Sequence, residues 1–237
     1  MATEPDKQFT LAVIIPCYNE VDNIATLLGR VQATGLADEI IIVDDGSTDG
    51  TRDVLTRIAD EGHEGLQVLL MERNRGKGAA LRRGFAAASA DLLLIQDADL
   101  EYDPRDYPTL LQPLKEGIAP VVYGSRFLGG PRKAMYFWNM VANKSLTLVT
   151  NILYNAILSD MMTCYKVFHR ELLKDMRLRA NGFDFEPELT ARVLKRGIHI
   201  YEVPISYNGR EWNEGKKIRA SDALPVLWTL LKYRFVD

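Results

Sequence analysis

The sharpest chemical feature of the chain is Asp97-Ala98-Asp99, which follows directly on the apolar run Leu92-Leu93-Leu94-Ile95. In extended backbone, residues two apart point to the same side, so both carboxylates can face one cation, with Glu101 next in the series. Oxygen donors without His or Cys select Mg²⁺ or Mn²⁺ rather than zinc. Mg²⁺ is usually held by one or two carboxylates plus substrate phosphates, so the pair points to a diphosphate-bearing substrate. Two surface aspartates are the bland counterpart, and the buried strand in front of them argues against it. A second acidic pair, Asp44-Asp45, ends the run Ile40-Ile41-Ile42-Val43. There a carboxylate can accept from a ribose or a base edge, or cap a turn with Ser47 and Thr48. Both roles stay open, since there are two aspartates. Gly76-Lys77-Gly78 lacks the GxxxxGK[ST] spacing and no GxGxxG occurs, so neither a P-loop ATPase nor a Rossmann dehydrogenase has a motif here.

These clusters need a frame, and the first half of the chain supplies one. Leu11–Pro16 reads as a buried strand stopped by its proline, then Asn19 caps a helix over roughly Val21–Ala33 with Asp22 at its third position. Ile40–Val43 is a strand, a helix follows to about Asp60, and Leu66–Met71 is a third strand. Asn74–Gly78 is a tight loop into a helix over Ala79–Ala88. Leu92–Ile95, a helix over Pro104–Glu116 and a strand at Val121–Gly124 complete the half. Strand and helix in alternation predict an α/β protein with a mostly parallel sheet flanked by helices, whose ligands bind outside the carboxyl ends of the strands. Pro16–Glu20, Asp44–Ser47 and Asp97–Glu101 all fall at such ends. The second half reads as one or two amphipathic helices over Ala134–Leu158, a strand at Thr163–Phe168 and a helix over Phe185–Arg196. A strand at His199–Val203 ended by Pro204, a polar loop over Tyr207–Lys217 and a helix over Ala220–Phe235 close the chain. One continuous domain is expected.

Composition bounds the rest. With 237 residues, 47% hydrophobic and 26% charged, the chain can bury a full core and is neither disordered nor a disulfide framework. Cys17 and Cys164 form no CxxC pair and His63, His169 and His199 offer no ligand spacing, so reduced thiols in a cytoplasmic setting are expected and zinc is not. The polar start MATEPDKQFT and the lack of an 18-residue apolar stretch predict neither signal peptide nor transmembrane span. The expectation is a soluble protein, or one bound at a membrane surface. Net charge is −3, yet residues 1–123 carry 11 Lys and Arg against 21 Asp and Glu, while residues 124–237 carry 18 against 11. A metal-binding first half and an anion-gripping second half account for that asymmetry.

Five ordered segments also carry a resemblance: Val13-Ile-Ile-Pro-Cys-Tyr-Asn-Glu20, Ile42-Val-Asp-Asp-Gly-Ser-Thr-Asp49, Asn74-Arg-Gly-Lys-Gly78, Gln96-Asp-Ala-Asp-Leu100 and Gly124-Ser-Arg126. Together they resemble inverting family 2 glycosyltransferases of the GT-A fold, above all the dolichol-phosphate mannose synthases and other polyprenyl-phosphate sugar synthases. The resemblance implies a single domain with a Rossmann-like nucleotide-sugar half over about 9–125 and an acceptor half over about 126–237. It implies nucleotide-sugar contacts at Pro16, Tyr18, Glu20, Asp44, Asp45, Lys77, Asp97, Ala98, Asp99 and Arg126, and metal ligands at Asp97, Asp99 and Glu101. Arg210 and Lys216 resemble residues of a loop that closes over the donor phosphates, and Asp160 an acidic position near the acceptor. Asp97, Asp99, Arg126 and Asp160 are then the catalytic candidates.

The implied reaction moves a hexose from a GDP- or UDP-sugar to a polyprenyl phosphate with Mg²⁺ or Mn²⁺. The leaving diphosphate needs its charge neutralised, which the metal and Arg126, Arg210 and Lys216 would supply. A lipid phosphate is already an anionic nucleophile; a neutral hydroxyl would require a base, with Asp160, Glu186 or Glu188 as candidates and a solvated helix start as the plain alternative for the last two. The same donor chemistry on a soluble or cell-wall acceptor is the alternative, ahead of nucleotidyl transfer or a non-catalytic sensor. The aromatic and basic segment Ala134–Leu158 is expected at a membrane surface, in a dimer interface or on the sheet. A homo-oligomer is compatible with this, and nucleic acid is not an expected partner.

Overall fold

Strands that read as unbroken apolar runs must be covered on both faces. In β1 (Leu11–Cys17), Leu11, Val13, Ile15 and Cys17 enter one core, and Ala12 and Ile14 the other. β2 (Glu39–Asp44) and β4 (Leu92–Ile95) divide the same way: Ile40, Ile42, Leu92 and Leu94 go to the first core, and Ile41, Val43, Leu93 and Ile95 to the second. Each such side chain contributes roughly 1.5–3 kcal/mol over leaving it exposed, which is what keeps β1 and β4 in the interior of the sheet. The computed structural model describes residues 9–131, 133, 136–209 and 223–236. Apolar side chains of α1 (Ile24–Gln32), α2 (Thr51–Asp60) and α4 (Tyr107–Lys115) close the first core. Those of α3 (Lys77–Ala87) and α6 (Phe185–Lys195) close the second.

The sheet has seven strands in the order β3-β2-β1-β4-β6-β5-β7, with β3 Leu66–Leu70, β5 Val121–Ser125, β6 Lys166–His169 and β7 Tyr201–Pro204. Every neighbouring pair is parallel except those of β6, which runs antiparallel to β4 and β5. The chain turns back on itself at β1, with β2 on one side and β4 on the other, so a crevice opens at their carboxyl ends. Because β6 is reversed, the chain entering it at Lys166 arrives at that same edge, opposite Tyr123. A third cluster joins α5 (Phe137–Tyr154) to α7 (Ala223–Phe235) through Leu146, Leu158, Met161, Val226 and Leu230. There the Tyr154 hydroxyl donates to the Leu230 carbonyl at 2.7 Å.

Several expected boundaries move for physical reasons. Pro16 does not stop β1, which runs on to Cys17, while β7 does end at Pro204 but begins at Tyr201 rather than His199. Gln96 N–H donates to the Ile14 carbonyl and Asp45 N–H to the Cys17 carbonyl, so even-numbered residues of β1 face β4 and odd ones face β2. The β1–β4 pairing ends at Ile14–Ile95, and the missing N–H of Pro16 therefore breaks no ladder bond. Asn19 is not a helix cap. It sits at φ 53°, its N–H donates to Ser47 Oγ at 2.9 Å and its Oδ1 accepts from Thr48 N–H at 2.9 Å, tying the β1 loop to the β2 loop. Helix α1 starts only at Ile24, where the Glu20 carbonyl accepts from Asn23 and Ile24, and Asp22 precedes its first turn. The strand expected from Thr163 begins at Lys166.

Gly84 on α3 faces β1 so closely that a Cβ there would overlap Ile14 Cγ2 and lie 3.3 Å from Val43 Cγ2. Both neighbours are β-branched, buried and stiff at χ1, so neither yields cheaply. Gly84→Ala is expected to destabilise by about 1–3 kcal/mol through overpacking. A thermal melt checks it: a drop of several degrees is expected, and an unchanged midpoint would show that α3 stands off the sheet.

Candidate active site

The crevice is floored by a buried glutamine. Gln96, fully buried, accepts from the Tyr107 hydroxyl at 2.9 Å and the Tyr165 hydroxyl at 2.6 Å, and its Nε2 donates to the Asp97 carbonyl at 3.0 Å. This fixes the backbone from which Asp97 projects. Beyond Asp97 the chain is not extended: residues 98–101 bend, and Leu100 has φ 21°. Asp99 Oδ1 accepts from Glu101 N–H at 3.2 Å, a local turn that sets its carboxylate by a bend rather than by strand alternation. The Ala98 methyl is packed into the first core. Glu101 Oε2 accepts from the Tyr207 hydroxyl at 2.9 Å, and its carbonyl accepts from Asn208, so Glu101 braces the chain after β7. Among the described residues no three His, Cys, Asp or Glu side chains converge on one cation position.

The second acidic pair divides its work. Asp44, fully buried, takes the turn, accepting from Gly46 and Ser47 N–H. Asp45 accepts from Arg75 and Gly76 N–H at 2.7 Å each, which pins the Asn74–Gly78 loop to the β2 edge. Burial holds the Asp45 carboxyl above its ordinary range, against the pull of those two N–H groups. Gly76 has φ 97°, and a Cβ on it or on Gly78 would overlap the backbone carbonyl of Asn181 or Ala180, so only glycine lets this loop meet the chain before α6. Pro16 and Tyr18, both half-buried, lie at the neighbouring β1 end. Glu20 is buried there, accepting from Asn23 Nδ2 at 2.8 Å.

The loop delivers Lys77, whose Nζ lies 2.7 Å from Asp97 Oδ1, 2.9 Å from Glu186 Oε1 and 3.0 Å from Cys164 Sγ. Burial opposes charge on Lys77, but Asp97, Cys164 and Glu186 outweigh it and hold the ammonium well above the usual lysine range. Burial would raise Asp97 in turn, and Lys77 brings it below the usual carboxylate range instead. The Cys164 thiol is pushed up to about 12, first by burial and then by Asp97. Lys166 is also fully buried, donating to the carbonyls of Met161, at 3.0 Å, and Thr163 and lying 4.3 Å from the centroid of the Tyr123 ring. Burial pushes it down to about 8, with the Glu186 charge the largest one opposing that shift.

On the other flank Arg126 and Asp160 form a two-pronged pair: Nε to Oδ2 at 2.7 Å and Nη2 to Oδ1 at 2.8 Å. Asp160 is fully buried and also accepts from the Arg126 N–H. Its own N–H and that of Ser159 donate to the Glu202 carboxylate at 3.0 and 2.7 Å. The Arg126 guanidinium lies 5.3 Å from the Tyr207 ring centroid and 5.9 Å from that of Phe127. Both Asp160 oxygens thus engage the arginine.

The structure brings Asp45, Lys77, Asp97, Asp99, Arg126 and Asp160 to one edge. Glu186 and Glu188 are not a solvated helix start. Both are buried; Glu188 accepts from Arg179 and Ala180 N–H and from Arg192 Nε, and so closes the turn before α6. Arg210 and Lys216, with most of the Tyr207–Lys217 loop, lie outside the described residues. Gln96, Lys166 and Glu202 were not singled out from sequence. Gln96 carries a visible signal in standing between an apolar run and the aspartates; the other two become visible only through the chain's long-range pairing.

Comparison with known proteins bears on the family and the fold. The model of Glycosyl transferase family 2 matches residues 12–177. The chain is 32% identical over 227 residues to polyprenol monophosphomannose synthase of Mycolicibacterium smegmatis, covering 91% of this chain and 83% of that one. It is 31% identical over 213 residues to undecaprenyl-phosphate mannosyltransferase of Micrococcus luteus, covering 86% and 85%. Glucosyl-3-phosphoglycerate synthase from Mycobacterium tuberculosis, solved with Mn²⁺, UDP and phosphoglyceric acid, superimposes with a TM-score of 0.74 at 25% identity, over 97% of this chain and 80% of that one. An α/β sheet with a single reversed strand, its acidic and basic side chains gathered at one edge, and similarity across most of the length lead to one assignment: the chain belongs to glycosyltransferase family 2, a glycosyltransferase of the GT-A fold.

Proposed function

We propose that this glycosyltransferase moves a hexose, activated as a nucleoside diphosphate, onto a polyprenyl phosphate at a membrane surface. The observation that carries the donor half is the Lys77–Asp97 pair just beyond β4, with Asp99 in the turn that follows and Arg126 just beyond β5 at the same edge of the sheet. The donor set fits a hard divalent cation. Asp97 already holds a cationic group, the Lys77 ammonium, and the soft ligand beside it, Cys164, is held as a neutral thiol. Asp97 and Asp99 would hold Mg²⁺ or Mn²⁺, with the remaining ligands from diphosphate and water, since Glu101 is engaged by Tyr207. When bound, such a cation neutralises charge on the departing diphosphate.

The chain's own residues do the rest. Asp45 and the loop that it pins offer a backbone and carboxylate surface for the nucleoside, at the β2 edge where Tyr18 also lies. Lys77 and Arg126 add fixed positive charge, Arg126 pre-oriented by Asp160, so no reorganisation is needed as the diphosphate departs. Arg210 and Lys216 would add theirs from the loop after β7. A lipid phosphate attacks as an anion and needs no base, which suits a site where Asp160 is committed to Arg126. The first half then serves the donor and the half after about residue 125 the acceptor. A phosphorylated soluble acceptor is the alternative, favoured by the fold shared with an enzyme solved with phosphoglyceric acid. UDP- and GDP-hexoses tested with polyprenyl phosphate or with 3-phosphoglycerate, read by partition of labelled sugar into organic solvent, separate the two. Label in the solvent phase is expected, and label that stays in water only with 3-phosphoglycerate would overturn the lipid acceptor.

A membrane acceptor needs a surface that reaches it. No helix among the described residues is long and apolar enough to cross a membrane. Instead α5 and α7 turn large apolar groups outward: Phe137, Trp138, Leu148 and Ile152 on one, Leu224, Trp228, Leu231 and Phe235 on the other, with Trp138 76% exposed. Neither helix contains an acidic residue, whereas Lys144, Lys232 and Arg234 are basic. Such a face suits the headgroup region of an anionic membrane.

Two outcomes are expected. Asp99→Asn should cut turnover by at least about a hundredfold, the scale of losing a key electrostatic stabiliser; full activity of that variant, or of the wild type in EDTA, would remove the pair from the site. Sedimentation with anionic liposomes should be strong at low salt, weak at high salt, and weaker still after Phe137→Ser and Trp138→Ser, with melting unchanged. Protein that stays in the supernatant at low salt would contradict the membrane face.

A further inference from the structure

Glu186 opens α6 with its side chain 4% exposed. Its Oε1 accepts from Lys77 at 2.9 Å, and its Oε2 has no hydrogen-bond partner among the described residues. A buried carboxylate with an idle oxygen is destabilising, and an apolar side chain of similar volume would fill the space without that penalty. Packing alone does not account for an acid here.

Lys77 does. Its ammonium is shared between two carboxylates with different prospects: Asp97 on the β4 edge beside Asp99, and Glu186 behind it on α6. An ammonium 2.7 Å from Asp97 and a divalent cation on the same carboxylate repel one another, so a cation that takes Asp97 drives Lys77 away from it. Without a second anion the displaced ammonium would be a buried, unpaired charge, and the exchange would be resisted.

We propose that Glu186 is a positioning residue: it retains the Lys77 ammonium when a divalent cation takes Asp97, so that the lysine stays in the site and faces the donor's diphosphate. The inference rests on the donor site proposed above. Lysine has three N–H donors, and the idle Oε2 gives one of them an acceptor once Asp97 is lost. Cys164 Sγ, 3.0 Å from Nζ, remains a further neighbour, so the ammonium can come off Asp97 and still stay in the site. Glu186 thus acts on the cation through Lys77 and does not itself touch the substrate.

The test is a double-mutant cycle with Glu186→Gln and Lys77→Met, read by calorimetric titration of Mn²⁺ in the presence of UDP and, separately, GDP. With Gln at position 186 the ammonium has only Asp97 as an anionic partner, and Mn²⁺ affinity is expected to fall about tenfold; with Met at position 77 the same change should alter it less than about twofold, the non-additivity of coupled neighbours. Equal losses in both backgrounds, or no loss in either, would assign Glu186 to packing and overturn the proposal. Glu186→Asp, which keeps the charge, should stay within about threefold of wild type, and a loss as large as that for Gln would count against a charge role. Melts of the metal-free proteins show which variants fold, and the Asp variant carries the test if Gln does not. Wild-type protein that binds Mn²⁺ with neither nucleotide would remove the donor site, and this proposal with it.

Discussion

A lysine ammonium buried between two carboxylates fixes the geometry of this molecule's working edge. Lys77 comes from the start of α3, Asp97 from the end of β4 and Glu186 from the start of α6, so one ion cluster joins three elements distant in sequence. Removing Lys77 from this cluster would leave two carboxylates without their shared cation, which is far worse than never having had the pair. The loop that presents Lys77 is held from both sides, by Asp45 through the N–H groups of Arg75 and Gly76 and by the Asn181 carbonyl on Gly78 N–H. The three carboxyl-terminal clusters of the sheet are therefore parts of one construction.

The reversed strand β6 brings the second half of the chain to that edge. The parallel strands bring only their carboxyl ends to that edge; reversing β6 adds the chain that enters it, with Asp160, Cys164 and Lys166. Asp160 then meets Arg126 at the end of β5, and Glu202 of β7 holds the backbone of Ser159 and Asp160.

The parts of this that the sequence showed are those with local causes. Apolar runs on β1, β2 and β4 announce strands buried on both faces, and the polar residues that follow each run announce the edge. The role of Asn19 was hidden because its partners, Ser47 and Thr48, are far along the chain; a cap and a loop tie use the same residue type. The turn after Asp97 was hidden because period-two logic assumes extended backbone, and the Asp99 side chain instead bonds to Glu101 N–H. Glu186 and Glu188 look like helix-start acids on composition, and only the packing of α6 against the Lys77 loop buries them. Burial is a property of the tertiary fold, so buried acids at a helix start cannot be told from solvated ones by pattern.

The position of the Lys77 ammonium in a loaded site tests this account most directly. Crystals grown with Mn²⁺ and UDP or GDP would locate the metal by its anomalous scattering and the lysine by its density. The account predicts Mn²⁺ on Asp97 and Asp99, with Lys77 Nζ off Asp97 and still within hydrogen-bond reach of Glu186. A lysine that remains on Asp97 while the metal and diphosphate bind elsewhere would contradict it.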